Sequence, residues 1–312
     1  MAVEPIVNDL EKEILDLETR LKNAKSRLAQ VSTPHASEPE PQPSRSILPL
    51  PSKTIPSATS HALLLLSDSA LPLGSFAYSS GLESYVAHNK PLPRTITPVA
   101  SFHRFLRLSI TSMGSLSLPY VLAAYCDPSE LETLDNDLDA STPCPVAQRA
   151  SIAQGRALLG VWERAFKHTY APRSSNGEDG GGQDPRVREG IEAVGDFSEA
   201  LKCSMDDELG AKGHFAPLWG VVCLAMGMDA WQTAYVFMLN HAKAVLSAAV
   251  RASVMGPYQA QSVLASKELQ DMITERIDRD WNTAVENAGQ VVPPLDLWVG
   301  RHELLYSRIF NS

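Results

Sequence analysis

The residues nearest to a catalytic set in this sequence are Tyr78, Glu83 and His88, a phenol, a carboxylate and an imidazole in one short stretch. Such groups could run general acid/base chemistry, which needs a proton donor and an acceptor within reach of one substrate. Their spacing argues against it. On a helix, Glu83 and His88 are five positions apart, whereas neighbours on one face are three or four apart, and no nucleophile or metal cluster accompanies them. His214 and His241 each stand among apolar neighbours, the setting of a hydrogen-bonded core or interface histidine rather than a ligand. Cys126, Cys144, Cys203 and Cys223 are too far apart for a zinc site and read as reduced, mostly buried thiols. The glycines of Gly177 to Gly182 invite a phosphate-loop reading. It fails because no Gly-Lys-Ser or Gly-Lys-Thr follows, the local charge is negative and no buried strand precedes. The chain has no nucleotide-binding motif, and no cofactor is expected.

The bulk composition narrows the remaining choices. At 312 residues with 44% apolar content, the chain can bury a substantial core. Its 36 acidic against 27 basic residues give a net charge of −9, which makes nucleic acid and anionic membrane poor partners. Apolar runs fall well short of the roughly 18 residues a membrane span needs, and the N-terminus is too acidic for a secretory or mitochondrial signal. A cytoplasmic protein is expected.

The elements that must position these residues read in order. Within residues 1–31, Val7, Leu10, Ile14, Leu17, Leu21, Ala24, Leu28 and Val31 alternate steps of three and four, the heptad pattern of a short coiled-coil helix. Such a helix pairs with a partner, stays solvated or folds back on the body. Residues 32–57 are rich in Pro and Ser and read as a flexible linker. Residues 58–312 carry helical periodicity with almost no strand signal, predicting one all-α domain of about ten helices. In it, His61 to His88 reads as helix, turn, helix, broken at Leu71-Pro72-Leu73-Gly74, with a second helix starting near Ser75 and Leu82, Tyr85 and Val86 on one face. A helix is predicted from near Thr97 to Met113, another over 116–126 with Pro119 as kink or start, and a long one over 146–170. That last helix offers Ile152, Leu158, Leu159, Trp162, Ala165 and Phe166 to the core. Inserts near 127–145 and 171–187 read as flexible, the first as a short helix plus loop. The small residues of Gly213-His214-Phe215-Ala216-Pro217-Leu218-Trp219-Gly220 would let one helix approach another closely.

Four blocks of this sequence resemble one known family. The stretch from Ser69 to Glu83, with Pro72, Gly74, Phe76, Tyr78, Gly81 and Glu83, resembles the N-terminal signature of the UreF urease accessory proteins, roughly Leu-Pro-hydrophobic-Gly-small-Phe-small-Tyr-Ser-x-Gly-Leu-Glu. Gly213-His214-Phe215 with Gly220 is similar to that family's middle region. Ser247 to Arg251 resembles its small-Ala-hydrophobic-Arg stretch, although Gly256-Pro257 stands where the family has Gly-Gln. The ending Tyr306-Ser307-Arg308-Ile309-Phe310 is similar to the family's C-terminus. The resemblance covers about residues 61 to 312 and leaves residues 1–57 unexplained.

The resemblance implies a non-catalytic nickel-insertion chaperone, usually a homodimer. It would bridge a UreD/UreH-type accessory protein and a UreG-type GTPase in delivering nickel to apo-urease and modulate the GTPase. On that reading, Tyr78, Glu83 and Arg251 are candidate contacts to one partner, and Tyr306, Arg308 and Phe310 in the 298–312 tail are contacts to another. The tail could instead fold back on its own domain, and Glu83 and Arg251 could anchor a buried network, where each would need a partner. Two other readings are an all-α small-molecule enzyme and a coiled-coil adaptor unrelated to nickel.

Overall fold

Side-chain caps set several helix boundaries of the body. Thr97 accepts the backbone N–H of Ala100, Ser266 that of Leu269, and Asp229 forms a reciprocal capping box with Gln232. Each satisfies a donor that the first turn of a helix leaves open. The computed structural model describes residues 58–171, 184–203 and 210–311, with 19–22 and 25 ahead of them. Residues 1–54 and 55–312 are separate units. In the first, residues 19–22 and 25 are helical, and Leu21 is exposed. The rest of the expected heptad helix and the 32–57 linker lie outside the described residues.

The described part of the second unit is all helix, turn and loop, without a strand. Its helices are α1 (Ala58–Ser67), α2 (Leu82–His88), α3 (Pro98–Leu116), α4 (Leu118–Cys126), α5 (Leu131–Ser141), α6 (Pro145–Val161), α7 (Pro185–Cys203), α8 (Phe215–Ala225), α9 (Ala230–Arg251), α10 (Pro257–Leu264), α11 (Lys267–Asp280) and α12 (Pro293–Arg301). The core is wrapped around α8, in which every residue from Ala216 to Ala225 is buried. A helix apolar all round can only be an interior one. It packs on α4, α6, α7 and α9, and α9 in turn packs on α1, α3, α10 and α11. Gly220 explains how closely α8 and α4 lie, since a Cβ there would collide with the Val121 carbonyl. The small-residue reading of the 213–220 block is realised at this crossing.

Several sequence expectations need correction. The chain after Gly74 makes only a 3-10 turn, Ser75–Ala77, and the α-helix waits until Leu82, because Gly74, Ser80 and Gly81 all take positive φ. The 127–145 stretch holds the short helix expected of it, but that helix is packed on the core. A 3-10 turn at Pro128–Glu130 leads into α5, which buries Leu131, Leu134, Asp135 and Leu138. The 146–170 helix changes hydrogen-bonding pattern midway: a π turn, Trp162–Phe166, separates α6 from Lys167–Tyr170. An extra residue in a turn shifts the phase of everything after it, so Trp162 is buried while Ala165 is exposed. Of the 171–187 insert, residues 172–183 lie outside the described residues, and α7 begins at Pro185. Pro257, which stands where the family has Gln, occupies the first turn of α10, where a missing N–H costs nothing and a fixed φ suits the helix. Two of the four free cysteines, Cys126 and Cys203, are exposed, and two, Cys144 and Cys223, are buried. No helix among the described residues is long and apolar enough to cross a membrane.

Candidate functional site

The turn between α1 and α2 shapes the site. Gly81 has φ 86°, and a Cβ on it would come within 3.0 Å of the Val299 side chain and 3.2 Å of the Val299 backbone nitrogen. Glycine there serves both the left-handed backbone and the close approach of α12. The second residue of α2 is Glu83, whose own N–H is held by Ser79 Oγ at 3.3 Å.

Glu83 is where the C-terminal segment is fastened. Its Oε1 accepts the N–H of Ile309 at 2.7 Å, and Oε2 accepts the N–H of Phe310 at 3.2 Å and Nε2 of His302 at 2.8 Å. Hydrogen bonds to a charged acceptor are about twice as strong as neutral ones. The N–H of Asn311 adds a bond to the Ala77 carbonyl at 2.8 Å. Phe310 is buried, and the Arg251 guanidinium lies 4.3 Å from its ring centroid, a cation–π contact. Partial burial lowers the pKa of Arg251 from its ordinary value. Fold-back of the tail and anchoring by Glu83 and Arg251 are therefore one structure. Tyr306 projects fully into solvent, and Arg308, Leu304 and Ile309 are also exposed.

The other candidate residues fall elsewhere. His88 is exposed and its Nδ1 lies 2.8 Å from the Ser84 carbonyl, so it does not join Glu83 in an acid/base set. Tyr78 is half-buried and lines a cavity. Pro72 is exposed in the turn, one residue before the buried Leu73. Gly213 has φ 85° and precedes His214, the N-cap of α8. The His214 ring is fully buried, with Nδ1 3.0 Å from Ser151 Oγ and Nε2 2.9 Å from Asp139 Oδ1.

Sequence reasoning missed two anchoring residues. Asp135, fully buried, accepts the N–H groups of Lys212 at 2.6 Å, Gly213 at 3.0 Å and His214 at 2.5 Å, and so tethers the start of α8. The three-and-four spacing of Leu131, Leu134 and Leu138 was the available signal that Asp135 lies on a packed helix. His302, fully buried with Nδ1 unpartnered, carried no comparable mark.

Chemically, a carboxylate already accepting three donors is a clamp, and it leaves no obvious capacity to abstract a proton. Among the described residues there is no group of three or more His, Cys, Asp or Glu side chains that could hold a metal ion. The fold and site define a class: an all-α protein with one helical core and a C-terminal segment strapped to its first turn. The UreF family profile matches residues 96–268. An uncharacterised UreF-like urease accessory protein of Schizosaccharomyces pombe is 34% identical over 252 residues, 81% of this chain and 97% of that protein. Urease accessory protein F of Arabidopsis thaliana is 31% identical over 79% of this chain and 90% of its own length. Urease accessory protein UreF of Actinobacillus pleuropneumoniae is 25% identical over 80% and 98%. The chain belongs to the UreF family of urease accessory proteins, and its role is in urease maturation.

Proposed function

We propose that this chain is a non-catalytic scaffold for nickel insertion into apo-urease. It bridges a UreD/UreH-type accessory protein and a UreG-type GTPase, with nickel as cargo, and works as a homodimer. The observation that carries the proposal is the strapped C-terminal segment. Its inner side is spent on Glu83, Arg251 and Ala77, while Tyr306 and Arg308 stand free on its outer side. An exposed aromatic beside an exposed arginine is the residue chemistry of interface hot spots. We assign Tyr306 and Arg308 to direct contact with the UreD/UreH-type protein, and Glu83, Arg251 and Phe310 to holding them in place. Tyr78 is a contact on the neighbouring turn. With no nucleotide motif of its own, the scaffold couples to GTP turnover through the partner's nucleotide state.

The test is co-purification of the full chain with both partners, followed by urease activity after nickel addition. Replacing Tyr306 and Arg308 together with Ala should lower the yield of the complex at least tenfold, in line with two hot-spot side chains, and leave the circular dichroism of the free chain unchanged. Undiminished complex and activity would refute the tail assignment.

A further inference from the structure

A cavity of about 310 Å³ lies between the 68–80 turn and helices α3, α6, α9 and α12. That is within the usual range of small-molecule sites, which combine an apolar lining with a few placed polar groups. The lining here has that character. Ser109, Ser112, Met113 and Leu116 recur at three- and four-residue spacing and form one stripe of α3, while Phe215, Phe237 and Leu295 are among the apolar contributors from other helices.

The polar atoms narrow the choice of ligand. Ser112 is 4% exposed and lines the cavity, and its hydroxyl makes no hydrogen bond among the described residues. Ser109 Oγ lies 2.8 Å from Nε2 of His241, and both residues line the cavity. That pair has the form of a nucleophile and its base, but burial pushes the His241 pKa down to about 4. An imidazole so weakly basic is a poor proton acceptor, so the pair suits binding rather than catalysis. The charged groups at the cavity are already engaged: Lys243 Nζ donates to the Ser67 carbonyl, with Asp68 nearby, and Asp296 accepts from Gln290 at 2.8 Å.

We propose that this cavity binds a small uncharged organic molecule, with a ring-sized apolar body and one hydroxyl or carbonyl group. The polar group is held by Ser112 and the Ser109–His241 pair, and the apolar body packs on Phe215, Phe237 and Leu295. The inference does not rest on the maturation role, although Tyr78 of the neighbouring turn and Val299 of α12 also line the cavity.

Titration of the full-length chain with 4-fluorophenol, followed by fluorine NMR, tests it. One saturable site is expected, from which phenol competes the probe and toluene competes at least fivefold more weakly. Ser112→Ala should weaken binding about fivefold, the effect of one hydrogen bond. Ala244→Leu, a half-buried cavity-lining position, should abolish it, with circular dichroism confirming that both variants keep their helix content. Absence of saturable binding, or binding unaffected by both substitutions, would overturn the site and leave a cavity that holds only water. Toluene as strong as phenol would overturn the polar half of the assignment, and benzoate stronger than phenol would overturn the requirement for an uncharged ligand.

Discussion

At the scale of single residues, Glu83 and His241 show opposite uses of a buried polar group. Glu83 gathers three donors from a segment more than two hundred positions away in sequence. Its replacement by Ala leaves those donors short of an acceptor, and a lost charged hydrogen bond is worth about 1.5–3 kcal/mol. Hydrogen exchange at Ile309 and Phe310 should therefore speed up at least tenfold, while exchange in α8 stays unchanged. Equal protection in the variant would mean that Phe310 and Arg251 hold the segment without the carboxylate. His241 is kept neutral by burial, with a pKa near 4 against about 6.5 in an unfolded chain. Between these values the unfolded state binds a proton that the folded state refuses, so stability falls as pH drops from about 6.5 towards 4. The expected loss is about 1–3 kcal/mol, discounted for the residue's partial exposure. Urea denaturation at pH 7 and pH 4.5 measures it, and His241→Asn should flatten the difference by that amount.

At the scale of elements, helix contact distance is the controlling quantity. Gly220 lets α8 lie against the Val121 carbonyl of α4, and Gly220→Ala should cost about 1–3 kcal/mol through overpacking. Gly160, in α6, meets nothing within 4 Å of its notional Cβ. There Gly→Ala should stabilise by about 0.5–1 kcal/mol through chain entropy alone. Chemical denaturation midpoints of the two variants should move in opposite directions. A shared sign would mean that α8 and α4 can separate without loss. Spacing and prolines made several helices legible in advance, including the start of α3 near Thr97, and Pro119, read as a kink or a start, opens α4. The π turn after Val161 was not legible, because a change from i→i+4 to i→i+5 bonding leaves no mark in an apolar pattern. Helix α5 was legible only as a short helix in a flexible insert, because acidic residues mask its packed face; one of them, Asp135, points inward and accepts backbone N–H groups at the start of α8.

At the scale of the whole molecule, the body from residue 58 onward has its own continuous core running from Ala62 to Phe310. The curated relatives match about four-fifths of this chain and nearly all or most of their own length. Removing residues 1–57 should therefore leave the cooperative unfolding transition of the body within about 1 kcal/mol of the full chain. It should also leave co-purification with the UreD/UreH-type and UreG-type proteins intact. Loss of the complex on truncation, with rescue by the full chain, would place an essential contact in the heptad segment.

The sequence alone determined that this chain is helical, that it belongs with the UreF proteins, and that it breaks at Leu71-Pro72-Leu73-Gly74. Those properties follow from local periodicity, backbone preference and motif. Tertiary structure decided which polar residues are spent on the fold and which remain outside. Nothing in the order of residues says that Glu83 meets the N–H groups of Ile309 and Phe310, that Arg251 covers Phe310, or that Tyr306 is left free. Such contacts join positions far apart in the chain, and they depend on how α12 crosses Gly81. That crossing is set by packing of the whole core rather than by any segment's own preference.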